Sequence, residues 1–166
     1  MHKKSVDLLN KAVADELAAV HQYMYFHFHL DDQGYDLLSA LFRRTAIQEM
    51  THIELLSERI LFLKGDVIMK ASTEVNPIHD VGGMLEMGRR MEENSAQCYN
   101  QWANECSANN DSVSRKIFEQ LVSEEEVHYS QYDNEWDKVQ QFGERYLALQ
   151  SLTRSQNISS GTALAE

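Results

Sequence analysis

The segments IQEMTHIE (47–54) and SEEEVHYS (123–130) each place a glutamate and a histidine three positions apart, Glu49 with His52 and Glu125 with His128. Positions three apart share one face of a helix, so a carboxylate and an imidazole could grip the same metal ion. One such pair is an ordinary polar helix face. Two are not, because Glu16 stands 33 residues before Glu49 and Glu92 stands 33 before Glu125, and a tyrosine, Tyr23 or Tyr99, follows each of these first glutamates by seven. The pattern recurs at an offset of 76 residues, so the chain reads as two copies of one metal-binding hairpin. Carboxylate oxygens and neutral imidazole nitrogens suit iron or manganese, and the lack of thiolates in the set argues against an iron–sulfur site. Two divalent cations would balance the charge of four glutamates, which if buried and empty would be pushed towards protonation.

Four buried carboxylates must be held at one level by the elements that carry them. A single proline, seven glycines and few β-branched runs predict an all-α chain. Gly34, Gly65, the stretch ANNDS (108–112) and Gly143 mark the breaks. They predict helices near 5–31, 36–64, 80–107 and 112–142, and a short one near 144–152. Tight turns join the first pair and the second pair, whereas 65–79 is long and carries Pro77. That is the plan of a four-helix bundle with one long crossover. Residues 1–152 are expected to form one domain, and the polar segment 153–166 a disordered tail. Following each helix in steps of four and three puts one of the glutamates near the middle of every core stripe. Trp102 and Trp136 fall off the main stripes and are expected to face outward, where apolar surface favours association. His21, His27 and His29 spread around the first helix and are read as surface or packing residues. Glu124 and Glu126 are expected to point to neighbours or solvent.

With 15 basic and 26 acidic residues the formal charge is -11, which repels nucleic acid on average and attracts cations. Cys98 and Cys106, eight positions apart on one helix, are about 12 Å apart and cannot pair within it. They are read as reduced packing residues, and the chain as cytoplasmic. No apolar run approaches the roughly 20 residues that span a bilayer, so no membrane partner is expected.

A glutamate from each of two helices with Glu-x-x-His from the other two is the ligand pattern of ferritin-like di-iron proteins. The segments DELAAVHQYM, ERILFLKGD, DSVSRKIFEQLVSEEEVH and GERYLAL resemble bacterioferritins more closely, over about residues 5–152. By that resemblance Glu16 and His52 are terminal ligands of one iron, Glu92 and His128 of the other, and Glu49 and Glu125 bridge them. It implies two iron ions per subunit and a ferroxidase that oxidises Fe(II) with oxygen or hydrogen peroxide. The product is stored as a mineral inside a homo-oligomeric shell of 24 subunits, with 12 as the alternative. It also implies that Met50, with its twin across a twofold axis, holds a haem at the subunit dimer interface, against simple packing as the other role. Tyr23 and Tyr99 are either donors that orient the ligands or core aromatics. Where several bacterioferritins carry a histidine and an acidic residue, this chain has Arg44 and Gln48, so an iron site on the inner surface is not expected.

Two rivals differ in chemistry. A DNA-protecting mini-ferritin would show a basic tail and a metal site between subunits, whereas this tail has one arginine in its last 14 residues. A rubrerythrin-like peroxidase would need an electron donor, and the paired CxxC motifs of a rubredoxin domain are absent.

Overall fold

The structure, a computed structural model, describes residues 2–161. It contains five helices: α1 (Lys3–Asp32), α2 (Asp36–Phe62), α3 (Val81–Ala108), α4 (Ser112–Phe142) and α5 (Glu144–Ser159). Local chemistry sets the ends. Gly34 takes a left-handed φ of 86° after α1, which lets the amide of Tyr35 reach back to the carbonyl of Leu30 at 2.9 Å. Asp80 and Asp111 cap α3 and α4 by accepting from the amides of Gly83 (2.7 Å) and Ser114 (3.1 Å). Asp111 also holds Arg59 of α2 at 2.6 Å, tying the two hairpins together at one end of the bundle.

α1 packs on α2 and α3 on α4 as antiparallel hairpins, and the two hairpins meet through α1 with α3 and α2 with α4. The connection from α2 to α3 is strapped along α1. Asn10 accepts from the amide of Ile68 (2.9 Å) and donates to the carbonyl of Asp66 (3.0 Å). Further along, the carbonyl of Ala14 takes the amide of Ser72 (2.9 Å), and Gln22 bonds both the amide and the carbonyl of Asn76 (2.7 and 3.0 Å). The crossover therefore travels in the direction of α1 and delivers the chain to the far end of the bundle, so α3 runs antiparallel to α1.

Two apolar clusters fill the interior. One gathers Leu9, Val13, Leu56, Ile60, Phe118 and Leu121; the other gathers Phe26, Leu30, Leu38, Phe42, Met84 and Tyr132. A polar layer containing Glu16, Glu49, Glu92 and Glu125 separates them, all four at most 2% exposed.

Two sequence expectations change. Segment 153–166 is not wholly a disordered tail, because α5 continues through Ser159. Arg154 supplies the reason: its guanidinium binds the carboxylate of Asp36 at 3.0 Å and the backbone carbonyl of Asp31, anchoring a polar helix that buries no side chain. Residues 162–166 of that expected tail lie outside the described residues. Trp102 does not face outward either. It is buried against Tyr99 and Phe118, because the core face of α3 is wide enough to take Trp102 and Ala103 beside the main stripe. Trp136 is half-buried with the Arg89 guanidinium 4.2 Å above its ring. The exposed apolar side chains are others, among them Phe28, Ile47, Met50, Leu61 and Phe62.

Candidate metal centre

Each of the four long helices brings one glutamate to the polar layer, and α2 and α4 add a histidine one turn further on. The ligand atoms of Glu16, Glu49, His52 and Glu125 lie within 4.8 Å of one another, as do those of Glu49, Glu92, Glu125 and His128. Glu49 and Glu125 belong to both groups. All six side chains are buried, and the two imidazole rings face each other at 6.0 Å.

The orientation of the imidazoles decides what the cavity can hold. Nδ1 of His52 points inward, 2.7 Å from Glu49 and 3.3 Å from Glu125; Nδ1 of His128 points inward, 3.0 Å from Glu49 and 3.4 Å from Glu125. The outward nitrogens are engaged: Nε2 of His52 donates to Glu124 at 2.7 Å and Nε2 of His128 to Gln48 at 3.1 Å. A neutral imidazole that donates from Nε2 keeps a lone pair on Nδ1. Lone pairs on nitrogen then face lone pairs on carboxylate oxygen. Consistent with that, both Nδ1 atoms, both oxygens of Glu49 and Oε1 of Glu125 are buried without a hydrogen-bond partner. A cation placed among them satisfies all of these atoms at once. The donor set fits iron or manganese.

With no cation, protons must balance the charge. Burial and then the neighbouring carboxylates push Glu16 and Glu92 well above the usual carboxylate range. Burial works against charge on His128, but the carboxylates of Glu125, Glu49 and Glu92 beside it outweigh that and push the imidazole up to about 12; His52 is raised in the same way by Glu125, Glu16 and Glu49. Protons on these groups and a cation among them are alternative ways of balancing the same buried charge.

Tyr23 and Tyr99 act across the hairpins. The hydroxyl of Tyr99 donates to Oε1 of Glu16 at 2.5 Å and that of Tyr23 to Oε1 of Glu92, so each orients the glutamate of the opposite copy. Both are also core aromatics, fully buried.

Sequence reasoning missed Glu124, which it sent to neighbours or solvent, and treated Gln48 only as a departure from an inner-surface iron site. Both sit one position before the shared glutamates, and the signal was their match under the 76-residue offset combined with antiparallel packing of α2 on α4. The remaining histidines stay apart: His27 bonds Ser39 at 2.8 Å, His29 packs on Tyr25 and His79, and His21 is exposed. Met50 is 53% exposed and points away from the cavity.

The sequence profile of the Ferritin-like domain matches residues 6–142. The bacterioferritin of Desulfovibrio desulfuricans is 36% identical, covering 96% of this chain and 88% of its own. That of Brucella melitensis is 30% identical over 85% of this chain and 88% of its own. A crystal structure of the Desulfovibrio desulfuricans bacterioferritin, describing its diiron site in different catalytic states, superposes with a TM-score of 0.87 at 34% identity, covering 89% of this chain and 86% of that one.

Proposed function

Because the chain belongs to the ferritin-like family, we propose that it is an iron-storage protein whose buried carboxylate–histidine layer is a ferroxidase centre, oxidising Fe(II) for deposition in a hollow homo-oligomeric shell. Iron is the substrate as well as the occupant of the centre: each Fe(II) gives up one electron, and oxygen or hydrogen peroxide accepts them. The observation that carries this reading is that two complete ligand groups sharing Glu49 and Glu125 lie within one chain, with lone-pair atoms turned inward and unpartnered. Glu16 and His52 serve one ion and Glu92 and His128 the other, while Glu49 and Glu125 bridge. Bridging lets an oxidant draw on both ions together, and oxygen donors tolerate both oxidation states. Tyr99 and Tyr23 hold Glu16 and Glu92 in place from the opposite hairpin.

The intrachain site disfavours the mini-ferritin alternative, whose metal site forms between subunits, and the charge of -11 disfavours DNA as a partner. Among the described residues no helix is long and apolar enough to cross a membrane. The free thiols Cys98 and Cys106 support a cytoplasmic location. The test is anaerobic Fe(II) titration of protein whose assembly is sized by light scattering, followed by admission of air. Two Fe(II) per chain, rapid oxidation and a closed shell of 24 subunits are expected. A stable monomer would rule out storage, a dodecamer that retards DNA would favour the mini-ferritin, and oxidation only by peroxide with no mineral retained would favour the peroxidase.

Met50 suits a second cofactor. Its thioether is exposed on α2 next to exposed Ile47, one turn away, and two copies meeting across a twofold axis would offer a haem two sulfur ligands in an apolar setting. Such a haem would supply electron transfer. Expression with ample haem is expected to give a six-coordinate haem spectrum that Met50→Leu abolishes while ferroxidase activity is kept; a shell that refuses added haem assigns Met50 to packing.

A further inference from the structure

Positions 48 and 124 are the same place in the two copies of the hairpin, yet one holds glutamine and the other glutamate. Since α2 and α4 are antiparallel, each backs the histidine of the other copy. Glu124 accepts from Nε2 of His52 at 2.7 Å, and Gln48 accepts from Nε2 of His128 at 3.1 Å. The second carboxylate oxygen of Glu124 is itself fixed by Gln120 at 2.8 Å. The counterpart of Gln120 in the first copy is Arg44, which makes no such bond to Gln48 among the described residues. A carboxylate that accepts the outer N–H of an imidazole increases electron density at the inner nitrogen, and a neutral amide at a longer distance does so less.

We propose, on the di-metal reading above, that the two halves of the centre are unequal: Glu124 makes the Glu16–His52 half the stronger binder, which fills first, and Gln48 leaves the Glu92–His128 half as the one an ion leaves first. Glu124 and Gln48 are positioning residues, and neither is placed among the ligands. Loss of such an outer partner typically lowers metal affinity about 10–100-fold, so the halves should differ by about tenfold.

Two unequal stepwise constants would not by themselves establish this, because a first cation repels a second in any paired site. The order of filling does. Crystals of the natural chain and of the exchanged double variant Gln48→Glu/Glu124→Gln are equilibrated with one Co(II) per chain, and anomalous diffraction reads the occupancy of each half. Cobalt is expected beside His52 in the natural chain and beside His128 in the exchanged one, with solution titrations showing the first step of Glu124→Gln weakened about tenfold. Equal occupancy in the natural chain, or an order that the exchange leaves unaltered, overturns the inequality while the di-metal centre stands. No cobalt in either half of either crystal overturns the di-metal reading and the inequality with it.

Discussion

Replacing Glu49 or Glu125 by alanine is expected to abolish the fast phase of Fe(II) oxidation, lowering the initial rate by more than the roughly 10–100-fold typical of losing an outer hydrogen-bond partner. Among the described residues these two side chains alone belong to both candidate ligand groups, so on the proposed assignment deleting either would leave each ion short of a donor and remove a bridge between them. Tyr23→Phe is the graded control. It removes only the hydroxyl that orients Glu92 and should slow the reaction by about tenfold or less. Stopped-flow oxidation at two Fe(II) per chain checks all three variants, with light scattering and melting of the metal-free forms to identify any folding failure. Initial rates unchanged in both glutamate variants would defeat the assignment of the centre.

Asp111→Ala is expected to destabilise the chain by about 3 kcal/mol or more, since it leaves the guanidinium of Arg59 largely buried without its partner and also removes the cap of α4. The loss should depend on pH in a defined window. Burial opposes charge on Asp111, but hydrogen bonds from Ser114 and Arg59 outweigh it and bring the carboxyl down from 3.8 to about 2. A group whose folded value is depressed contributes stability that is complete above its unfolded value and fades as pH falls through the folded one. The stability difference between natural and variant chains should therefore be constant above about pH 5 and shrink between about pH 4 and 2. Denaturant titrations at a series of pH values measure it; a difference that stays flat through that window would show that the ion pair and its hydrogen bonds are not the source.

Much of the centre could be read from the sequence because helical periodicity and the 76-residue offset constrain each ligand independently: Glu16, Glu49 and His52 predict Glu92, Glu125 and His128. What escaped was information that lies between helices. The role of Glu124 depends on which residue of α2 stands opposite it, and periodicity within α4 says nothing of that. The helical state of residues 153–159 depends on Arg154 reaching Asp36, over a hundred residues earlier, so a composition poor in apolar residues gave the wrong local expectation. Trp102 was misjudged because a single-file stripe understates the width of a face that packs against two neighbouring helices.

The crossover that is strapped along α1 has a topological consequence. A short loop after α2 would have started α3 at the near end and set it parallel to α1. Glu16 and Glu92 could still have met at one level, but Tyr23 and Tyr99 would then stand seven residues, about 10 Å, beyond both of them. A phenol cannot cover that distance. Only when the second hairpin enters upside down relative to the first do residue 23 draw level with 92 and residue 99 with 16, the two hydroxyl–carboxylate pairs that the fold contains. The connection outside the bundle, which supplies no side chain to the candidate ligand groups, is therefore what inverts one half against the other, and the reciprocal grip of each tyrosine on the other half's glutamate is written into the path of the backbone.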